Sequence, residues 1–109
     1  METLNISIST GSDYTIRDGE ICLRKIGDIV IASSTLVFMD LTANKAVMLN
    51  ATIPEHYRPS APAQINGQAF ASGRIDGGFR ITLETDGTIA ISTNVSGQKE
   101  YRGNCCYAI

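Results

Sequence analysis

Phe79-Arg-Ile-Thr-Leu-Glu-Thr-Asp-Gly-Thr-Ile-Ala-Ile-Ser92 is the stretch that decides the fold class. Phe79, Ile81 and Leu83 alternate with Arg80, Thr82 and Glu84, and Ile89 and Ile91 share a face of the following run. Alternation with period two is the mark of a half-buried strand. Asp86-Gly87 between two such runs is a hairpin signal, with room for a loop of two residues or more.

Outward from this hairpin the same grammar repeats. On the N-terminal side Leu4, Ile6 and Ile8 alternate with Asn5, Ser7 and Ser9, then Thr10 to Asp13 reads as a turn and Tyr14 to Ile16 as a short pairing segment. Ile21 to Phe38 predicts two strands joined at Gly27-Asp28, as a hairpin or as one bulged strand. Met39 to Asn44 has the length of a single helical turn, too short for an independent helix. Ala46 to Leu49 is a further strand candidate. Past Pro62, Asn66-Gly67, Gly73, Asp76-Gly-Gly78 and Ser96-Gly97 read as turns, with strands over Gln68 to Ser72 and Lys99 to Ile109. The count is eight or nine short strands with no amphipathic helix. No interval between strands is long enough for a covering helix, so parallel crossovers are excluded and an antiparallel β-sandwich or jelly-roll-like barrel remains.

At 109 residues the chain is expected to be a single domain, residues 1–109. Roughly two-thirds of the unfolded surface of such a chain is buried on folding, enough for one core without surplus. Apolar residues make up 43% and aromatics 6%, with no tryptophan, so the core should be aliphatic. The formal net charge is −2 and the basic residues are scattered. Neither a nucleic-acid groove nor a polybasic membrane patch is indicated. No apolar run reaches the length of a membrane span, and the start, Met1 to Asn5, lacks the pattern of a signal peptide. Synthesis and folding in a cytoplasm are expected.

Candidate chemistry is sparse. His56 is the only histidine, so any triad or general-base scheme must run through it or through a carboxylate; a surface position is the simpler reading. Asp13, Asp18, Asp28, Asp76 and Asp86 resemble turn-capping residues more than calcium ligands. Cys22, Cys105 and Cys106 are too few for a disulfide framework, and the adjacent pair lacks the gap that lets two thiolates reach one ion. No catalytic residue, metal or cofactor is assigned. A shallow polar site with an aromatic platform would suit a glycan, and Tyr101, Arg102, Asn104 and Tyr107 are the most plausible local set, with core packing as the competing role for the two tyrosines.

The stretch Thr52-Ile-Pro-Glu-His-Tyr-Arg-Pro-Ser60 separates the two halves. Pro54 and Pro59 cannot donate to a ladder and push their preceding residues toward extended geometry. It is expected to cross the fold as an ordered strap, pinned by Tyr57 and with Arg58 paired nearby. Ile53-Pro-Glu-His-Tyr-Arg-Pro59 resembles the Leu-Pro-Glu-Gly-Tyr-Arg-Pro signature of C-terminal domains of phage and prophage tail-fibre or baseplate proteins of Gram-positive hosts. Arg24-Lys-Ile-Gly-Asp-Ile-Val30 resembles that family's strand pair, and Asp86-Gly-Thr-Ile89 its later turn into a strand. The motifs come in the family's order and span Ile21 to Ser92. His56 stands where the pattern has glycine, and no stalk accompanies the domain.

The resemblance implies a non-enzymatic β-sandwich head domain, usually a homotrimer at a fibre tip, in a virion tail or prophage-encoded particle. Its implied partners are host cell-surface glycans and other tail or baseplate proteins. A purely structural assembly module and a small monomeric carbohydrate-binding module are the alternatives.

Overall fold

The structure, a computed structural model, describes all residues from Met1 to Ile109. Its strands are β1 (Glu2–Ser7), β2 (Asp18–Ile26), β3 (Ile29–Leu41), β4 (Val47–Thr52), β5 (Ala63–Ala71), β6 (Arg74–Leu83), β7 (Thr88–Thr93) and β8 (Gly97–Ala108). They form one antiparallel sheet in the order β1-β2-β3-β8-β5-β6-β7-β4. The all-β antiparallel reading and the strand count therefore hold. The sheet curls until its edges nearly meet, and a bridge between Ser9 and Asn50 joins them. No helix is long and apolar enough to cross a membrane.

One interior cluster takes inward residues from β2 to β8, among them Ile21 and Leu23 of β2, Val30, Ala32 and Leu36 of β3, Ile81 and Leu83 of β6, and Ile89 and Ile91 of β7, with Leu4 and Ile6 of β1 half-buried against it. The core is chiefly aliphatic, with Phe79 and Tyr101 packed edge to face inside it at 5.3 Å between ring centroids. Tyr14 plugs the seam between the sheet edges. Its hydroxyl donates to the Ser9 carbonyl at 2.6 Å and accepts from the Asn50 amide at 2.9 Å.

Three local expectations are corrected. Met39 to Asn44 makes no helical turn, because β3 runs on to Leu41 with Asp40 opposite Gln98 and Leu41 opposite Gly97. Ladder pairing and the burial of Met39 and Leu41 outweigh the local preference. Asn66-Gly67 is not a turn but the middle of β5, and Asp76-Gly77-Gly78 lies within β6. Gly67 and Gly77 serve close approach: a Cβ on Gly67 would sit 2.1 Å from the Arg102 carbonyl and 2.7 Å from the Phe79 ring, and one on Gly77 would run into the side chains of Asn94 and Val95. The hairpin between β5 and β6 turns instead at Ser72-Gly73, where φ is 51° and 77°, the paired positive values of a tight two-residue connection.

The strap closes one end of the curled sheet. Its middle is a single 3₁₀ turn, Glu55–Tyr57, rather than extended chain throughout. Pro59 is buried and Pro54 exposed. Tyr107 of β8 donates its hydroxyl to the Tyr57 carbonyl at 2.5 Å. The Tyr57 hydroxyl reaches the Glu2 carboxylate at 3.2 Å, with Lys25 Nζ 5.8 Å from its ring centroid. Arg58 pairs with a carbonyl rather than a carboxylate, its Nε donating to Ile53 O at 2.9 Å. His56 is exposed on the outer side, and its carbonyl accepts from Lys25 Nζ at 3.3 Å.

Candidate functional site

Strand alternation divides the expected site residues between two faces. Tyr101 is fully buried and Tyr107 is 8% exposed, whereas Arg102 and Asn104 point outward. The structure thus brings Arg102 and Asn104 together on the surface and turns both tyrosines into the interior, so neither offers a ring to a ligand. Burial raises the phenol pKa of Tyr101, the neighbouring Thr93 hydroxyl opposing this and Asp40 and Asp76 adding to it. Burial likewise raises that of Tyr107, with Cys105 adding to it. Cys105 also faces inward and burial pushes its thiol up to about 11, with Cys106 contributing; Cys106 is exposed.

On the outer face the sheet register lines up small polar side chains across its width. Asn5 lies opposite Cys22, Cys22 opposite Ser33, and Ser33 opposite Asn104. Asn104 then pairs with Asn66, Asn66 with Arg80, and Arg80 with Ser92. Facing residues in a sheet lie within contact distance of their neighbours, so this is a continuous band of amides and hydroxyls with one thiol, one guanidinium and no carboxylate. The glycine pair Gly67 and Gly103 at the β5–β8 contact lets the two backbones close up beside Asn66 and Asn104.

Beside this band Gly78 contributes no side chain to the outer face, and a Cβ there would meet only the Gly67 carbonyl at 3.5 Å. The result is an open groove of about 540 Å³ whose polar wall includes Asn44, Asn66, Arg80, Ser92 and Asn94. Asn94 is held in place by accepting from the Gly78 amide at 3.0 Å. Amides offer both donor and acceptor and the guanidinium only donors, so the wall can satisfy vicinal hydroxyls without a charged ligand. Asn66 is missed by the sequence reading because Asn66-Gly67 looks like a turn, and Arg80, already an outward strand residue, because its pairing with Asn66 is not local. The signal was present: Gln64, Asn66 and Gln68 are polar at every second position around Ile65.

No family model matches the sequence, and no curated protein does so significantly. Among solved structures, the head domain of the lactococcal phage bIL170 superposes with a TM-score of 0.64 over 99% of both chains, at 14% identity. That structure was described in asking whether the receptor-binding domains of lactococcal phages share a common fold. The chain has the fold of a phage receptor-binding head domain. At such low identity the shared property is the path of the backbone from end to end.

Proposed function

We propose that the chain is a non-enzymatic phage tail or baseplate head domain that attaches to saccharide on the host cell surface as a homotrimer. The observation that carries this reading is the end-to-end likeness to a receptor-binding head domain. The outer band supports it: Asn66, Arg80 and Ser92 present neutral hydrogen-bonding groups and one cation along a shallow groove, and Asn104 stands beside Asn66 on the same face. Weak individual sites suit trimeric display, since linked binding events raise avidity without new contacts.

A cluster of exposed isoleucines supports the assembly part of the proposal. Ile26, Ile29 and Ile31 are 53%, 46% and 43% exposed, and Ile26 pairs directly with Ile29. Exposed apolar side chains gathered in one place mark protein contact surfaces. The test has two arms. Light scattering should give three chains, and a clean monomer would overturn the trimer. Binding to Gram-positive wall polysaccharides should drop in Arg80→Ala and in Asn104→Ala. Trimeric protein that binds no wall preparation would leave a purely structural fibre-tip or baseplate role.

A further inference from the structure

At the level of Glu100 both neighbours of β8 lose their regularity. On one side the pairing of β3 with β8 jumps from Leu36–Tyr101 to Met39–Lys99, so Val37 and Phe38 together face Glu100. On the other side Phe70 of β5 pairs with Glu100 and sits at a register shift against β6. Bulges re-aim side chains and are common beside functional sites. Here the β3 bulge brings Phe38 to the rung that Phe70 already holds by pairing with Glu100.

Phe38 has a φ of 52°, in the left-handed region that a bulky residue enters only when its surroundings force it. That strain is not repaid by full burial, because Phe38 remains 40% exposed. The Arg17 guanidinium braces the ring at 5.0 Å from its centroid. Phe38 and Phe70 line one groove of about 260 Å³ whose polar wall includes Ser72, Gln98 and Glu100. A second hollow joins Phe70 and Glu100 to Arg102. The outward side chains Gln98, Glu100, Arg102 and Asn104 therefore lead along β8 from this groove to the polar band, a run of roughly 20 Å.

We propose that this groove is a saccharide subsite: Phe38 and Phe70 pack against the C–H face of a sugar ring, while Gln98, Glu100 and Ser72 bond its hydroxyls. The proposal rests on the attachment function above and names an aromatic part of the surface that performs it. Other occupants fit less well. A peptide added as a strand needs an open sheet edge, and β8 is paired on both sides. Single-stranded nucleic acid needs a basic groove, and this one carries Glu100. A sugar ring, apolar on its faces and ringed by hydroxyls, matches aromatic walls with an amide, a carboxylate and a hydroxyl between them.

The experiment compares wild type, Phe38→Gly and Phe70→Ala for binding to length-fractionated Gram-positive wall polysaccharides, lactococcal ones included. Glycine accepts the left-handed backbone without strain, so Phe38→Gly should melt within a few degrees of wild type. It should nevertheless bind about tenfold more weakly, the loss typical of one aromatic anchor, and Phe70→Ala should follow. The aromatic NMR signals of Phe38 and Phe70 in the wild type should shift when the binding fragment is added. Wild-type binding matched by Phe38→Gly, or unmoved phenyl signals, would overturn the subsite and leave the attachment function standing. Failure of the wild type to bind any wall would overturn the attachment function and the subsite with it.

Discussion

Replacing Tyr14 with phenylalanine tests how the sheet is closed. The edges meet between β4 and the chain just past β1, through the Ser9–Asn50 bridge. The Tyr14 hydroxyl occupies that seam, donating to Ser9 O at 2.6 Å and accepting from Asn50 N at 2.9 Å. The Asn50 side chain adds a bond to Ser9 Oγ at 3.1 Å. Phenylalanine keeps the ring, which is 5% exposed in its residue, and removes the oxygen. The Ser9 carbonyl and the Asn50 amide then lose their partner in a half-buried place. Each such loss costs about 1 kcal/mol and sometimes more, so the pair should cost roughly 2 kcal/mol. For a domain of this size that corresponds to a fall in Tm of about 10 °C. Thermal unfolding by circular dichroism measures the shift, and amide exchange should show Asn50 opening faster than the centre of β3. A Tm within about 2 °C of wild type would mean that the seam is closed by packing alone and would refute this account of closure.

Two glycines should respond for different reasons. Gly67→Ala drives a Cβ to 2.1 Å from a backbone carbonyl and should cost about 3 kcal/mol or prevent folding, while Gly27→Ala, with open space but a φ of 59°, should cost only about 1 kcal/mol in chemical denaturation. Tyr107→Phe removes the bond to the Tyr57 carbonyl at 2.5 Å, and should lower stability by about 1 kcal/mol while speeding proteolysis within Pro54 to Ser60. Stability should also fall on the alkaline side. Cys105, Tyr101 and Tyr107 all have folded pKa values above their ordinary ones, so the native state holds protons that the unfolded chain releases. Their contribution is complete below the ordinary values and is lost as pH rises through the folded ones, about 11 for Cys105. Melting curves from neutral to strongly alkaline pH should show the decline, and Cys105→Ala should flatten it. Thiol-labelling kinetics at neutral pH should show Cys106 reacting well before Cys105.

The alternation of Phe79, Ile81, Leu83, Ile89 and Ile91 was sufficient by itself to establish strands and their inward faces, because a period of two is a local property of the backbone, and the short intervals between strands excluded parallel crossovers. The strap was legible for the same kind of reason: proline's fixed φ and missing donor exclude a ladder position wherever the chain goes. The glycines were not. Asn66-Gly67 and Asp76-Gly77-Gly78 carry turn composition, yet Gly67 is small because Gly103 and the Phe79 ring press on it, contacts made by strands far apart in sequence.

The same non-local registers decided the candidate surface. Tyr101 and Arg102 are neighbours in the chain, but one is sealed in the core and the other faces solvent. Asn66, Arg80 and Asn104 lie far apart in the chain, yet meet side by side because β5 pairs with both β6 and β8. Local sequence determines which way a residue points along its strand; only the pairing of strands determines what stands beside it.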